Sequence, residues 1–341
     1  MNLAGAAIGA GERVAWPDPL LRAAISIMVG RTRRRLCRTD AAEFEFARRM
    51  ADYPIAINTE AANEQHYEVP AEFFAQMLGP QRKYSCCYYA HAEASLAEAE
   101  ERALAETAEH AALADGQRIL ELGCGWGSLS LWTARRYPAA RIVSVSNSRS
   151  QRASIVRRAQ AEGLRNLTVI AADINSFVPA GRFDRVVSVE MFEHMSNWRE
   201  LLLRIRSWLT PEGALFLHIF SHRRAPYRFD ASDRADWIAQ HFFTGGIMPS
   251  RGLIRQFSDL IEVEQEWWWD GTHYRRTAEH WLKNFDRNAG AIDAVLRRFY
   301  GVHAALWRRR WRLFLHATAG LFGHSNGQEW GVSHYRLRPT P

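Results

Sequence analysis

Arg118-Ile119-Leu120-Glu121-Leu122 is an apolar run of the length of one buried strand, and it ends directly in Gly123-Cys124-Gly125-Trp126-Gly127. A short apolar run that breaks into glycines and then into a helical pattern is the opening unit of a parallel α/β sheet, because parallel strands are covered on both faces and need helical crossovers. The alternation then repeats. Strand candidates at Ile142–Ser146, Leu167–Ala171, Arg185–Val189 and Ala214–Phe220 are separated by helical stretches near 128–136, 149–163 and 197–208. That order predicts a doubly wound, Rossmann-like α/β fold. Ile261–Trp269 and Trp330–Leu337 are later strand candidates, with helical, Arg- and aromatic-rich sequence between them.

The 341 residues, 47% of them hydrophobic, are enough to bury one enlarged domain. Residues 1–60 show short helical patterns without strand alternation and are expected to form an N-terminal helical region. Residues 61–341 then form the α/β domain, with helical insertions over the substrate at about 222–258 and 277–322. Ser95 followed by Glu98 predicts a capping box opening a helix over 96–113. The apolar stretch Leu20–Val29 is broken by Arg22 and is too short to span a bilayer, and no charged start precedes the first apolar residues. A cytoplasmic location is expected. Cys86 and Cys87 are adjacent while Cys37 and Cys124 stand alone, so neither a disulfide framework nor a metal site is expected. The net charge of +7 favours an anionic partner, and Arg31, Arg33, Arg34, Arg35 and Arg38 suit either a solvated helix face or a membrane surface.

Ligands of parallel α/β sheets sit beyond the carboxyl ends of the strands, where a glycine turn lets them approach the backbone. Here Glu121 precedes the glycines as in the E/D-x-G-x-G-x-G pattern of methyltransferases, and the G-x-G-x-x-G spacing of dinucleotide enzymes is missing. The expected cofactor is S-adenosylmethionine, bound around Glu121, Gly123 and Gly125. Ser146 and Gln151 follow the second strand, where ribose hydroxyls need partners, and Asp173-Ile174 follow the third, where the adenine amino group needs an acceptor. Asp173 equally suits a turn or a helix cap.

A longer series of motifs carries a family resemblance. It comprises Pro54-Ile55-Ala56 with Thr59-Glu60, Tyr67-Glu68-Val69-Pro70, Lys83-Tyr84-Ser85-Cys86-Cys87-Tyr88, the glycine turn, and Val189-Glu190-Met191-Phe192-Glu193-His194-Met195. Leu217-His218-Ile219-Phe220, His273-Tyr274-Arg275-Arg276-Thr277 and Gly323 through Trp330 continue it. In these the chain resembles the cyclopropane fatty acid synthase superfamily over about residues 54–338, and within it the coclaurine-type N-methyltransferases. The resemblance implies a Rossmann-like class I methyltransferase sheet. It also implies that Tyr84 and Ser85 reach the methionine end of the cofactor, and Ser146, Gln151, Asp173 and Ile174 its nucleoside end.

The bound sulfonium carries its own leaving group, so the protein has to align a nucleophile and handle one proton. Glu190, Glu193 and His194 follow the fourth strand, where they attract an ammonium and accept its proton; alternatively Glu193-His194 merely cap the next helix. In the synthases, as the resemblance has it, an alkene attacks the methyl group and the proton goes to a bicarbonate held by residues matching Cys86, Glu193, His218 and Tyr274. Cys86 and His218 also read as plain core residues. The position of Glu190 is typically small in the synthases and a carboxylate in the N-methyltransferases, and Asn326 to Trp330 resemble the latter. The expected reaction is methylation of a small amine at nitrogen, the alternative methylation or cyclopropanation of a phospholipid acyl chain. Trp267, Trp268, Trp269, Trp281 and Trp330 are candidates for cation–π contact or for core. The partner is a small amine or a lipid acyl chain and not nucleic acid; peripheral membrane contact and a homodimer are compatible with the sequence.

Overall fold

The computed structural model describes residues 12, 14, 16–36, 42–57, 69–233 and 236–340. Cys37, Arg38 and most of residues 1–15 in the expected N-terminal region lie outside the described residues, as do the motif residues Thr59, Glu60, Tyr67 and Glu68. Four helices come first: α1 (Asp18–Leu36), α2 (Ala42–Met50), α3 (Ala71–Met77) and α4 (Leu96–His110). The capping box forms, with Ser95 accepting from the Glu98 amide and the Glu98 carboxylate accepting in return from the Ser95 amide.

Strand and helix then alternate through β1 (Arg118–Leu122), α5 (Ser128–Arg136), β2 (Arg141–Ser146), α6 (Arg149–Ala161), β3 (Leu167–Ala171), β4 (Phe183–Val189), α7 (Trp198–Trp208) and β5 (Leu209–His222). These five strands pair in parallel in the order β3-β2-β1-β4-β5. β5 begins five residues earlier than its apolar run, because a bulge opposite Phe183 and Arg185 absorbs Pro211, Glu212 and Gly213. β8 (Ile261–Asp270) and β9 (Trp330–Pro339) complete a seven-stranded sheet, β9 lying antiparallel between β5 and β8. The fold is the expected Rossmann-like α/β sheet.

Between β5 and β8, the stretch 222–258 differs from the helical insertion expected there. It holds a two-strand ribbon of β6 (Tyr227–Arg228) and β7 (Ile247–Met248), the five-residue helix α8 (Trp237–His241) and a 3-10 turn at Leu253–Phe257. Between β8 and β9 the chain is helical, as α9 (Gly271–Arg287), α10 (Ala289–Tyr300) and α11 (Ala304–Gly323). α9 starts before residue 277 because the Asp270 side chain, at the end of β8, caps it by accepting from the Thr272 amide at 2.8 Å.

Two of the apolar cores position the site. Leu120, Leu122, Val186, Leu215 and Leu217 of the sheet pack on Leu201, Leu202 and Ile205 of α7. A second cluster joins Phe73 and Phe74 of α3 to Trp281 and Phe285 of α9 and to Trp311 and Leu315 of α11, with Ile25, Val29 and Leu36 of α1 behind them. The helical layer is thereby fixed over one end of the sheet, and a chamber lies where it meets the strand ends.

Candidate active site

A cavity lies beyond the carboxyl ends of β1, β2 and β4, bounded by the glycine turn. Gly123, Gly125 and Gly127 all have positive φ (78°, 49° and 78°), a conformation that costs most side chains strain. A Cβ on Gly123 would lie 2.6 Å from the Met191 side chain, whereas one on Gly125 would meet nothing within 4 Å. Tyr84, Ser85, Glu121, Gly123, Gly125, Ser146, Gln151, Asp173 and Ile174 all line this cavity. Glu121 is held behind the turn, where Ser144 donates to its carboxyl at 3.0 Å and Ser130 donates to the same oxygen. Burial pushes it up to about 7. Ser146 donates to Gln151 Oε1 at 2.6 Å, which leaves Gln151 Nε2 buried without a partner. Trp126 Nε1 and Ser128 Oγ are equally unsatisfied on the same walls. Buried polar atoms without partners imply a polar ligand, and these residues fit a nucleoside with an amino-acid tail.

A second cavity adjoins the first and shares Tyr84, Glu190 and His194 with it. Its other walls are Phe220, Phe229, Ile238, Phe243, Met248, Tyr274, Trp281, Phe314, Thr318, Leu321 and Phe322. Glu190 is the only carboxylate of this aromatic chamber among the described residues. Its φ of 48° turns the chain sharply after β4. Glu190 Oε1 accepts from the Cys86 amide at 2.9 Å and lies 3.2 Å from His218 Nε2, while Tyr274 donates to Oε2 at 2.7 Å. Burial raises the Glu190 carboxyl above the ordinary carboxylate range, against the opposing pull of Lys83, the Cys86 amide, the Tyr274 hydroxyl and His194. Lys83 is itself buried, with Nζ donating to Ser85 Oγ at 2.5 Å and to the Cys86 carbonyl at 2.7 Å. His194 lies against the Phe243 ring at 4.3 Å between centroids, and burial lowers it to about 4, so it is neutral at pH 7.

Comparison with known proteins agrees with this arrangement. The model of the mycolic acid cyclopropane synthetase family matches residues 56–330. The chain belongs to that family. It is 34% identical to (S)-coclaurine N-methyltransferase of Thalictrum flavum subsp. glaucum over 93% of this chain and 91% of that protein. It is 31% identical to cyclopropane-fatty-acyl-phospholipid synthase of Escherichia coli (strain K12), over 79% of this chain and 66% of that one. The crystal structure of a coclaurine N-methyltransferase bound to N-methylheliamine and SAH superposes with a TM-score of 0.91 at 32% identity, covering 95% of this chain and 96% of that chain. The chain is an S-adenosylmethionine-dependent methyltransferase.

Within this family context the cluster needs three corrections. Glu193, expected beside Glu190 as a proton acceptor, lines neither cavity: its Oε1 accepts from the Phe220 amide at 2.6 Å, and burial and the Glu190 charge push its pKa far up. It braces β5 through the Phe220 amide. Cys86 contributes its backbone amide, because its thiol points to the Cys87 carbonyl and burial raises it far above its usual pKa. Bicarbonate does not fit this structure, since the Cys86 amide, His218 and Tyr274 already engage Glu190 and the Glu193 carboxyl braces the Phe220 amide. Of the five tryptophans only Trp281 reaches the chamber; Trp267 stacks on His110, Trp268 lies under Arg251, and Trp269 and Trp330 are core. Sequence reasoning did not single out Lys83 or the phenylalanine walls. Lys83 stands in a motif quoted above, but the phenylalanines come from separate segments and carry no local signal.

Proposed function

We propose that the protein methylates the nitrogen of a small amine bearing an apolar or aromatic ring system, with Glu190 as the residue that attracts the ammonium and takes its proton. The observation that carries this reading is the Glu190 carboxylate, set alone in aromatic walls where the two cavities meet. S-adenosylmethionine, when bound in the first cavity, supplies an electrophilic methyl group on sulfur. Around it, Tyr84 and Ser85 would hold the methionine end, Gln151 and Ser146 the ribose, and Asp173 with Ile174 the adenine, in keeping with their places on the cavity wall. The phenylalanine walls exclude water and select apolar ring substituents, while Trp281 and Tyr274 offer aromatic faces to the cation. Neutral His194 borders both cavities, suited to orienting the nitrogen through a hydrogen bond. An acyl chain would also suit the walls, but a buried carboxylate beside an alkene has desolvation cost and no task. The relatives named as N-methyltransferases of alkaloid amines support the same reading.

The test is to offer purified protein labelled S-adenosylmethionine with secondary amines of increasing ring size and, separately, vesicles of unsaturated phospholipid. Label is expected in the amines. Label in acyl chains alone would overturn the reading. Among the described residues no helix is long and apolar enough to cross a membrane. A cytoplasmic location belongs to the same proposal, as does an N-terminal helical region up to about residue 60, whose α1 packs on the helical layer. Peripheral membrane contact or a homodimer would use α1, where Leu20, Ile27 and Met28 are exposed.

A further inference from the structure

A chain of hydrogen-bonding side chains leads from Glu190 through the interior to the outer end of α4. Behind Glu190, His218 Nδ1 lies 2.8 Å from His334 Nε2, and His334 Nδ1 lies 2.7 Å from His110 Nδ1. His110 Nε2 then lies 3.2 Å from Glu106 Oε2, whose carboxylate also pairs with the exposed Arg102. His218 and His334 are fully buried and His110 nearly so. Pairing of β5 with β9 sets His218 directly opposite His334, and α4 brings His110 and Glu106, one turn apart, to the outer end. Every imidazole uses one nitrogen toward Glu190 and the other toward Glu106.

We propose that Glu190, His218, His334, His110 and Glu106 form a proton exit path, which carries to solvent the proton an ammonium substrate must lose before methylation. This rests on the amine reading above. Three neutral rings supply three N–H protons to four junctions, so with both carboxylates ionised the path holds one proton fewer than it has hydrogen bonds. It therefore accepts one. The substrate N–H proton passes to Glu190, each ring takes a proton on one nitrogen and gives one from the other, and Glu106 releases a proton to water. The freed nitrogen lone pair forms the N–C bond as the C–S pair returns to sulfur. Burial keeps the rings neutral, and Lys83 beside His218 and His334, with Arg336 and Arg102 beside His110, acts in the same direction against Glu109.

His110→Phe keeps a ring stacked on Trp267, whose ring lies 3.9 Å from that of His110, and Glu106→Gln keeps the outer contact without a proton acceptor. In protein labelled at histidine ring nitrogen, without any acceptor amine, deuterium exchange of the His218 and His334 ring protons is expected to slow at least tenfold in both variants. With a strongly basic amine, kcat should fall at least tenfold at unchanged KM for S-adenosylmethionine. A weakly basic amine of the same ring system, which enters as free base, should lose less than twofold. Unchanged exchange in both variants overturns the path. Equal losses for the two amines also overturn it, because a structural defect does not depend on acceptor basicity. If the native enzyme methylates no amine, the functional reading fails, and the exchange rates alone still decide the path.

Discussion

Replacing Glu190 by glycine separates the catalytic from the structural role of this residue. Glu190 sits at φ 48°, where a side chain stores about 1 kcal/mol or more of backbone strain, and its carboxylate is held in a site whose burial raises its pKa. Glycine removes both costs. Against this, the Cys86 amide and the Tyr274 hydroxyl lose their acceptor and His218 loses its partner, and each buried polar group left unpaired costs about 1–3 kcal/mol unless water enters. The opposing contributions are of similar size, and the vacated volume opens on both cavities, so a net stability change within about 2 kcal/mol is expected. Catalysis should respond far more, since losing a proton acceptor slows turnover by about 10²–10⁴-fold, or roughly 3–5 kcal/mol of barrier. Steady-state methylation of a ring-bearing secondary amine measures kcat, titration calorimetry the affinity for S-adenosylmethionine, and thermal melting the fold. Added formate or bicarbonate should partly restore turnover in the variant alone, because the freed Cys86 and Tyr274 donors then have a small carboxylate to bind. A variant within fivefold of native kcat, or one inactive only because it has unfolded, would refute the reasoning.

Gly125→Val should weaken S-adenosylmethionine binding at least a hundredfold with a soluble fold, since its side chain would enter the cavity, whereas Gly123→Ala should lower the melting temperature by forcing Met191 aside; normal affinity in Gly125→Val would remove the turn from the cofactor site. Glu121, lifted from 4.5 to about 7 by burial, contributes stability that is fully present below about pH 4.5 and lost as pH rises through about 7, roughly 3 kcal/mol in all. Melting curves of Glu121→Gln should lack that decline, and an unchanged pH profile would show that burial does not lift the Glu121 carboxyl. Glu193→Gln should melt within about 3 °C of native at pH 7, because the amide keeps the shape of a protonated acid and the acceptor for the Phe220 amide; a large loss would mean that Glu193 carries charge. Amine turnover should fall with decreasing pH as the raised Glu190 carboxyl takes up its proton, and a rate independent of pH between 5 and 9 would exclude it as the base.

What the sequence made legible follows from where the physical cause of each feature lies. β3 and α5 have the bounds expected of them, and β1 with its glycine turn forms as read, because an apolar run, a glycine needing positive φ and a helical period act over a few neighbouring residues. α6 stops at Ala161 and not at 163, since Gly163 takes φ 69° and ends the helix before it. The stretch 222–258 departs from the expected helices because its aromatic residues serve as chamber walls: Phe229 and Phe243 line the chamber together with Phe314 and Phe322 of α11, a demand of tertiary packing with no period of its own. The choice between Glu190 and Glu193 was hidden in one backbone angle. With Glu190 left-handed, its side chain turns into the cavities, and the 3-10 turn at Phe192–His194 carries Glu193 under β5 and leaves His194 facing the chamber. The histidines show the same limit at longer range. Residues 110, 218 and 334 share no motif, and only the insertion of β9 between β5 and β8 sets His334 against His218 with His110 behind it. Local rules thus locate the cofactor site, while the group that handles the proton, and any route by which that proton leaves, depend on strand order and on the left-handed turn at Glu190.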